Sequence, residues 1–146
     1  MVKSPARTID PTACTCLALS QATRRVQRLY DAALAPHGLS IGQFSFLAHL
    51  AALDTMTAAD LAERCAMDAS TVSRLIRPLI RRDLIRAERD PQDRRALRLS
   101  LSHKGRQTFD AARAGWREAQ GTLDAAIGRK ASANLRADMR RLVAAL

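Results

Sequence analysis

Residues Asp68–Gly105 read DASTVSRLIRPLIRRDLIRAERDPQDRRALRLSLSHKG, and two structural periods meet inside them. Val72, Leu75, Ile76, Leu79 and Ile80 recur at i, i+3, i+4, i+7 and i+8, which lays one apolar stripe along a helix. Asp68 supplies the short acceptor side chain that a helix start favours. From Ala96 the period drops to two, and Leu97, Leu99 and Leu101 alternate with Arg98 and Ser100. That alternation predicts a half-buried strand. Leu84–Arg89 supplies the second strand of a hairpin, and RDPQDRR, bent by Pro91, is its tip. The stretch is a helix followed by a hairpin whose tip carries Arg89, Arg94 and Arg95.

One step towards the N-terminus, Thr57–Cys65 predicts a short helix joined to the first by a tight turn, the spacing of a helix-turn-helix. Leu61, Cys65, Met67, Val72 and Leu75 are expected to pack its corner, with Ala62 and Ala66 as small residues that let the helices approach. Opposite the apolar stripe of the second helix lie Ser70, Thr71, Ser73, Arg74 and Arg77, and no acidic residue stands between Asp68 and Asp83. A solvated face ordinarily mixes Glu with Lys. Small hydroxyls near a helix N-terminus, followed by arginines, suit the major groove of duplex DNA, where arginine forks onto guanine or phosphate. A hairpin directly after such a helix is a wing, and arginine at its tip suits the minor groove, where negative potential concentrates.

The charge balance agrees. The chain of 146 residues has 24 Lys plus Arg against 14 Asp plus Glu, a net charge of +10. Asp68–Arg106 alone holds 11 basic and 5 acidic residues, so this quarter of the chain carries more than half of the excess. A polyanionic partner follows. No apolar run approaches the roughly 20 residues of a membrane span. There is no glycine-rich phosphate loop, nucleophile elbow or paired-carboxylate constellation, so no enzyme is expected. Cys14, Cys16 and Cys65, with three histidines, give neither a disulfide framework nor zinc spacing, and no metal or cofactor is expected in what reads as a protein of the reducing cytoplasm. Phe, Trp and Tyr total five and none lies in the basic segment, which disfavours the stacking platforms of single-strand binders. A winged helix that docks RNA or protein stays as an alternative.

The flanks read as helices. Residues 1–13 are expected to be a flexible leader and 14–146 a single domain. In it, helices at about 14–36 and 103–146 flank a lobe at about 40–102. Leu19, Ala22, Val26, Leu29, Tyr30 and Ala33 share a face of the first helix, which Pro36 and Gly38 stop. Ser40 with Gln43 forms a capping box for the next, which carries Phe44, Leu47 and Leu50. Beyond Gly105 a long helix runs through Phe109, Ala112, Trp116, Leu123 and Ile127. A last one, with Ser132 as its expected cap, places Leu135, Met139, Leu142, Val143 and Leu146 on one side. A monomer of this size would struggle to cover that stripe, which predicts a dimer. The fold class expected is mainly α with a small β-hairpin wing.

These residues resemble the MarR family of bacterial winged-helix transcription regulators. The likeness runs from about Cys16 to the C-terminus and is most specific over Asp68–Gly105. Asp93–Arg94–Arg95 matches the wing signature, and Ser100–Leu101–Ser102 through Gly105 matches the segment that returns to the helices. The resemblance implies that Arg95 enters the minor groove, held by an ion pair from Asp68, that Asp93 helps position the wing, and that Arg94 reaches a neighbouring phosphate. It also implies a homodimer with interlocked terminal helices on a pseudo-palindromic operator, and repression relieved by a small aromatic or anionic ligand. Leu19, Tyr30, Phe44, Phe46, His49 and Trp116 are the candidate lining. The alternative switch is a thiol: Cys16 with Tyr30 resembles the organic-hydroperoxide-sensing branch, although Ser20 and Ile41 stand where other tyrosines are expected. Two further departures are Asp83, where the family often has glycine, and Pro78 late in the recognition helix.

Overall fold

The computed structural model describes residues 10–146. Of the expected leader, 1–9 lie outside the described residues, while Pro11–Ala13 form a 3-10 turn capped by Asp10. The chain then runs through α1 (Thr15–Leu34), α2 (Ile41–Leu53), β1 (Thr55–Thr57), α3 (Ala58–Arg64), α4 (Ala69–Arg81), β2 (Ile85–Arg89), β3 (Leu97–Leu101), α5 (His103–Ile127) and α6 (Arg129–Ala145).

The central element is α2. Ser40 and Gln43 close a reciprocal capping box at its start, as their spacing predicts. Phe44, Phe46, Leu47 and Leu50 are all buried, so it is covered on more than one side. Around it Leu61, Val72, Ile76, Leu79, Leu84, Ile85 and Leu99 close a single core. The sheet is antiparallel in the order β1-β3-β2, with Ile85 opposite Leu101 and Arg89 opposite Leu97. The third strand, β1, is a correction to the single hairpin expected. Three residues are too short for any period to declare, and it exists because Met56 pairs opposite Leu99 and both are buried.

Two helix starts also differ from expectation. α5 begins before Gly105, capped by the Ser102 hydroxyl, which accepts the Gly105 N–H at 2.8 Å. Gly105 lies inside the first turn, where the position demands glycine because a Cβ would stand 1.9 Å from the Leu84 carbonyl oxygen. Ser132 is likewise no cap. α6 starts at Arg129 after Gly128, and Ser132 is buried in its first turns, accepting from the Arg136 guanidinium at 2.7 Å. Further along α5, a Cβ on Gly115 would lie 2.5 Å from the Ala33 carbonyl, which shows how closely α1 packs along α5.

Candidate nucleic-acid interface

The helix-turn-helix is α3–α4, and short polar side chains set both of its starts. Thr57 and Asp60 form a capping box on α3. In the turn, Ala66 adopts φ 49° and is exposed, so it shapes the corner through its backbone and not through close helix approach; Ala62 packs on the core. Cys65 is half-buried and burial pushes its thiol up, as befits a small apolar residue of the corner.

Asp68 caps α4 with both oxygens. One accepts the Thr71 N–H at 2.8 Å and the Ser70 hydroxyl at 2.5 Å, and the other accepts the Thr71 hydroxyl at 2.8 Å. The Ser70 hydroxyl, then the Thr71 N–H and hydroxyl, hold the carboxyl well below the usual carboxylate range. The ion pair expected from Asp68 to Arg95 is not among the salt bridges of the described residues, because Asp68 is spent on the helix it starts. Along α4, Ser70, Arg74 and Arg77 are exposed and Thr71 half-exposed, and Arg74 reaches back to the Thr71 hydroxyl at 3.1 Å. Ser73 departs from this face. It is half-buried and lines, with Val72, Ile76, Leu97 and Leu99, an apolar cleft of about 390 Å³ between α4 and β3. α4 runs through Pro78 to Arg81, and Asp83 ends it in the left-handed region at φ 56°, the conformation for which glycine is usual.

The wing is anchored by a pair that sequence reasoning missed. Asp90, buried at the end of β2, accepts the Gln92 N–H at 2.8 Å and pairs with Arg98 of β3 at 3.2 Å. The Gln92 N–H, and after it Arg98, lower its carboxyl against the opposing effect of burial. Asp followed by Pro is a turn initiator, and that signal could have marked it. At the tip, the Asp93 carboxylate accepts the Arg95 N–H at 2.9 Å and its carbonyl accepts the Ala96 N–H at 3.0 Å. Arg94 and Arg95 are exposed on the turn this builds. Leu97, 47% exposed, is not the buried strand residue that the alternation predicts, since β3 extends past the core towards the tip.

An exposed hydroxyl-and-arginine helix, followed in the chain by an exposed arginine-tipped wing, makes up the candidate interface. The profile of the MarR family matches residues 37–96, from the end of α1 to the wing. Among solved structures, a probable transcriptional regulator from Pseudomonas aeruginosa is 28% identical, with a TM-score of 0.81 over 91% of this chain and 99% of that one. The M. tuberculosis transcriptional regulator MosR, in complex with DNA, is 31% identical, with a TM-score of 0.72 over 88% and 98%. The repressor CouR, bound to a 23-mer DNA duplex, is 25% identical, with a TM-score of 0.83 over 96% and 99%. The chain belongs to the MarR family of transcriptional regulators. No curated protein matches it significantly.

In this MarR-family chain the candidate ligand lining is not one site. Tyr30 and Phe44 converge on Trp116, with ring centroids 6.5 and 6.2 Å away, and Phe109 packs against Phe44 in a tilted pair at 5.2 Å. Phe46, two residues from Phe44 and so on the other side of α2, is fully buried in the core of the winged lobe. His49 is half-buried and lines none of the cavities described. Leu19 lies elsewhere, in a surface cleft with Cys16, Arg24, Leu142 and Leu146 where α1 meets α6. Cys14 and Cys16 are exposed, and the Cys14 sulfur caps α1 by accepting the Leu17 N–H at 3.4 Å. Below Trp116 a polar chain runs across three helices. The Tyr30 hydroxyl donates to Gln120 Oε1 at 2.7 Å, Gln120 donates to Asp124 at 2.9 Å, and Asp124 faces Arg136 at 3.6 Å. No helix of the described residues is long and apolar enough to cross a membrane.

Proposed function

We propose that the chain is a homodimeric, sequence-specific repressor of transcription that reads double-stranded DNA with α4 in the major groove and the β2–β3 wing in the minor groove. The observation that carries this is the solvent-facing set Ser70, Thr71, Arg74 and Arg77, free of acidic residues, together with exposed Arg94 and Arg95 on a wing anchored by Asp90. The hydroxyls are small enough for close approach, and the arginines supply forked donors to base edges and phosphate. Two copies related by a two-fold axis would present two such faces to a pseudo-palindrome with half-sites about 10 bp apart.

Salt titration on duplex DNA tests it. Binding to a selected palindrome should fall steeply with salt and exceed binding to random duplex, whereas equal binding to any polyanion would refute a specific regulator. Arg74→Ala and Arg95→Ala should each cost about 1–3 kcal/mol of operator binding, and wild-type affinity in both would remove those contacts from the interface.

For release, the Tyr30–Phe44–Trp116 cluster favours a small aromatic effector, because it lies where α1, α2 and α5 meet and Trp116 borders a cavity of about 400 Å³ with Arg117 and Arg129. A thiol switch has one observation in its favour, the exposed Cys16 in a surface cleft that Arg24, Leu142 and Leu146 also line. Peroxide treatment that leaves operator affinity unchanged would remove it.

A further inference from the structure

Arg82 is one of the basic residues that make the segment look built for DNA, yet it does not face the side where DNA is proposed to lie. Its guanidinium turns back from the end of α4 and donates to two carbonyls in the turn between α1 and α2, Gly38 O at 2.5 Å and His37 O at 3.0 Å. The fit is close. Gly38 sits at φ 64°, and a Cβ there would come within 3.1 Å of the guanidinium. The carbonyl of Arg82 in turn accepts Lys104 Nζ, from the first turn of α5, at 2.9 Å. Its neighbours are tied the same way: the Ser102 hydroxyl donates to Asp83 O and the Ser102 N–H to Leu84 O.

Two connections therefore meet at one side chain. The chain enters the winged lobe through the α1–α2 turn and leaves it through β3–α5, and Arg82 bonds to the first while its backbone is held by the second. On the α1–α2 side, Asp31 accepts the Ile41 N–H at 2.7 Å, so the turn that receives Arg82 is itself pinned to α1. No other side chain of the α4 region reaches that turn among the hydrogen bonds of the described residues.

We infer that Arg82 is a positioning residue for DNA recognition, a strut that fixes the angle of α4 relative to α1 and α5 and thereby the spacing between the two half-sites a dimer can read. The inference rests on the dimeric regulator proposed above. Simple leverage gives its size. α4 has 13 residues and is about 20 Å long. A swing of about 10° about its Arg82 end moves its capped start, where Ser70 and Thr71 lie, by about 3.5 Å, close to the 3.4 Å rise of one base pair. A small loosening at Arg82 thus amounts to one step of register. Both accepting carbonyls belong to a surface turn where water can replace the guanidinium, so removing it should leave the fold intact while relaxing the angle.

The test starts from an operator selected by the wild type from a random duplex pool, then resynthesised with its half-sites one and two base pairs closer or farther apart. Wild type should lose about tenfold in affinity at the first off-spacing. Arg82→Ala should melt cooperatively, bind the selected spacing about tenfold more weakly, and show little preference between spacings. Arg82→Lys keeps the charge but cannot fork to two carbonyls, and should flatten the spacing profile in the same way. A uniform loss of affinity with the wild-type spacing ratio preserved in the lysine variant would overturn the inference, since a merely structural or electrostatic role predicts that result. Failure of the wild type to select any operator is a different outcome and would overturn the regulator itself, and the strut with it.

Discussion

α4 and α6 are both amphipathic helices that carry several arginines, but they are finished in opposite ways. α4 is complete within the chain. Asp68 caps its start with three hydrogen bonds, Val72, Ile76 and Leu79 are buried, and its C-terminal end is held by Arg82 and the start of α5. α6 has no side-chain cap, buries only Ser132 among its residues, and leaves Leu135 45% and Val143 67% exposed. Its polar ties to α5 run to Asp124, from Arg136 at 3.6 Å and from the Ser132 hydroxyl. A helix proposed to read DNA has to arrive rigid, and the apolar face of α4 is consumed within the chain. α6 leaves its apolar face open, and in the dimer proposed above a second copy of the chain would cover it.

The strongest way to break the contrast is to injure each helix at its apolar face. Leu79→Ala in α4 should cost about 2–5 kcal/mol of unfolding free energy, because a fully buried leucine leaves a cavity that its neighbours fill only in part. That loss should be the same at every protein concentration. Leu142→Glu combined with Val143→Glu in α6 should instead leave the helical spectrum largely intact, shift sedimentation from dimer to monomer, and abolish the rise of the melting midpoint with concentration. An α6 double variant that melts like Leu79→Ala regardless of concentration would show that α6 is completed within the chain after all.

Acid sharpens the same difference through the ties. The Ser132 hydroxyl first, then Gln120 and Arg136, lower the carboxyl of Asp124, while the Gln92 N–H and Arg98 lower that of Asp90. A carboxylate depressed in the folded state stabilises it fully above the unfolded value of about 4, and that stabilisation disappears as pH falls through the folded value. The melting midpoint of the wild type should therefore drop as pH is lowered from about 4, and its advantage over Asp124→Asn should shrink over the same range. An advantage that persists unchanged at the acid end would mean that the Asp124 carboxylate is not what ties α6.

How much of this was legible in the sequence follows from how local each cause is. The stripe Val72–Ile80 and the box Ser40–Gln43 are set by neighbours three and four residues apart, and both helices formed where that spacing put them. The wing was legible from its alternation and its turn residues, though Leu97 was assigned to the core by a period that could not know where the core ends. What failed depends on residues far apart. β1 needs β3 beside it, Arg82 needs a turn 44 residues away, and the presumed Asp68–Arg95 pair lost to bonds within three residues of Asp68. The aromatic lining split for the same reason: Phe44 and Phe46 are two residues apart but face opposite sides of α2, and of the two only Phe44 meets Trp116.

Ser132 gives the finest test of how α6 begins, because two substitutions there should rank in opposite orders under the two descriptions. At an N-cap, glycine is tolerated within a few tenths of a kcal/mol while alanine costs about 1 kcal/mol, so Ser132→Gly would be the more stable variant. In a helix interior glycine is worse than alanine by about 1 kcal/mol, so Ser132→Ala would be. The start of α6 at Arg129, and the Ser132 N–H bonded to Gly128 O at 2.9 Å, place Ser132 in the interior. Both variants should lose the hydroxyl bonded to Arg136, a shared cost of about 1 kcal/mol that cancels in the comparison. Alanine melting above glycine is the expected order, and the reverse would move the start of α6 to Ser132 and leave Arg129–Ala131 outside it.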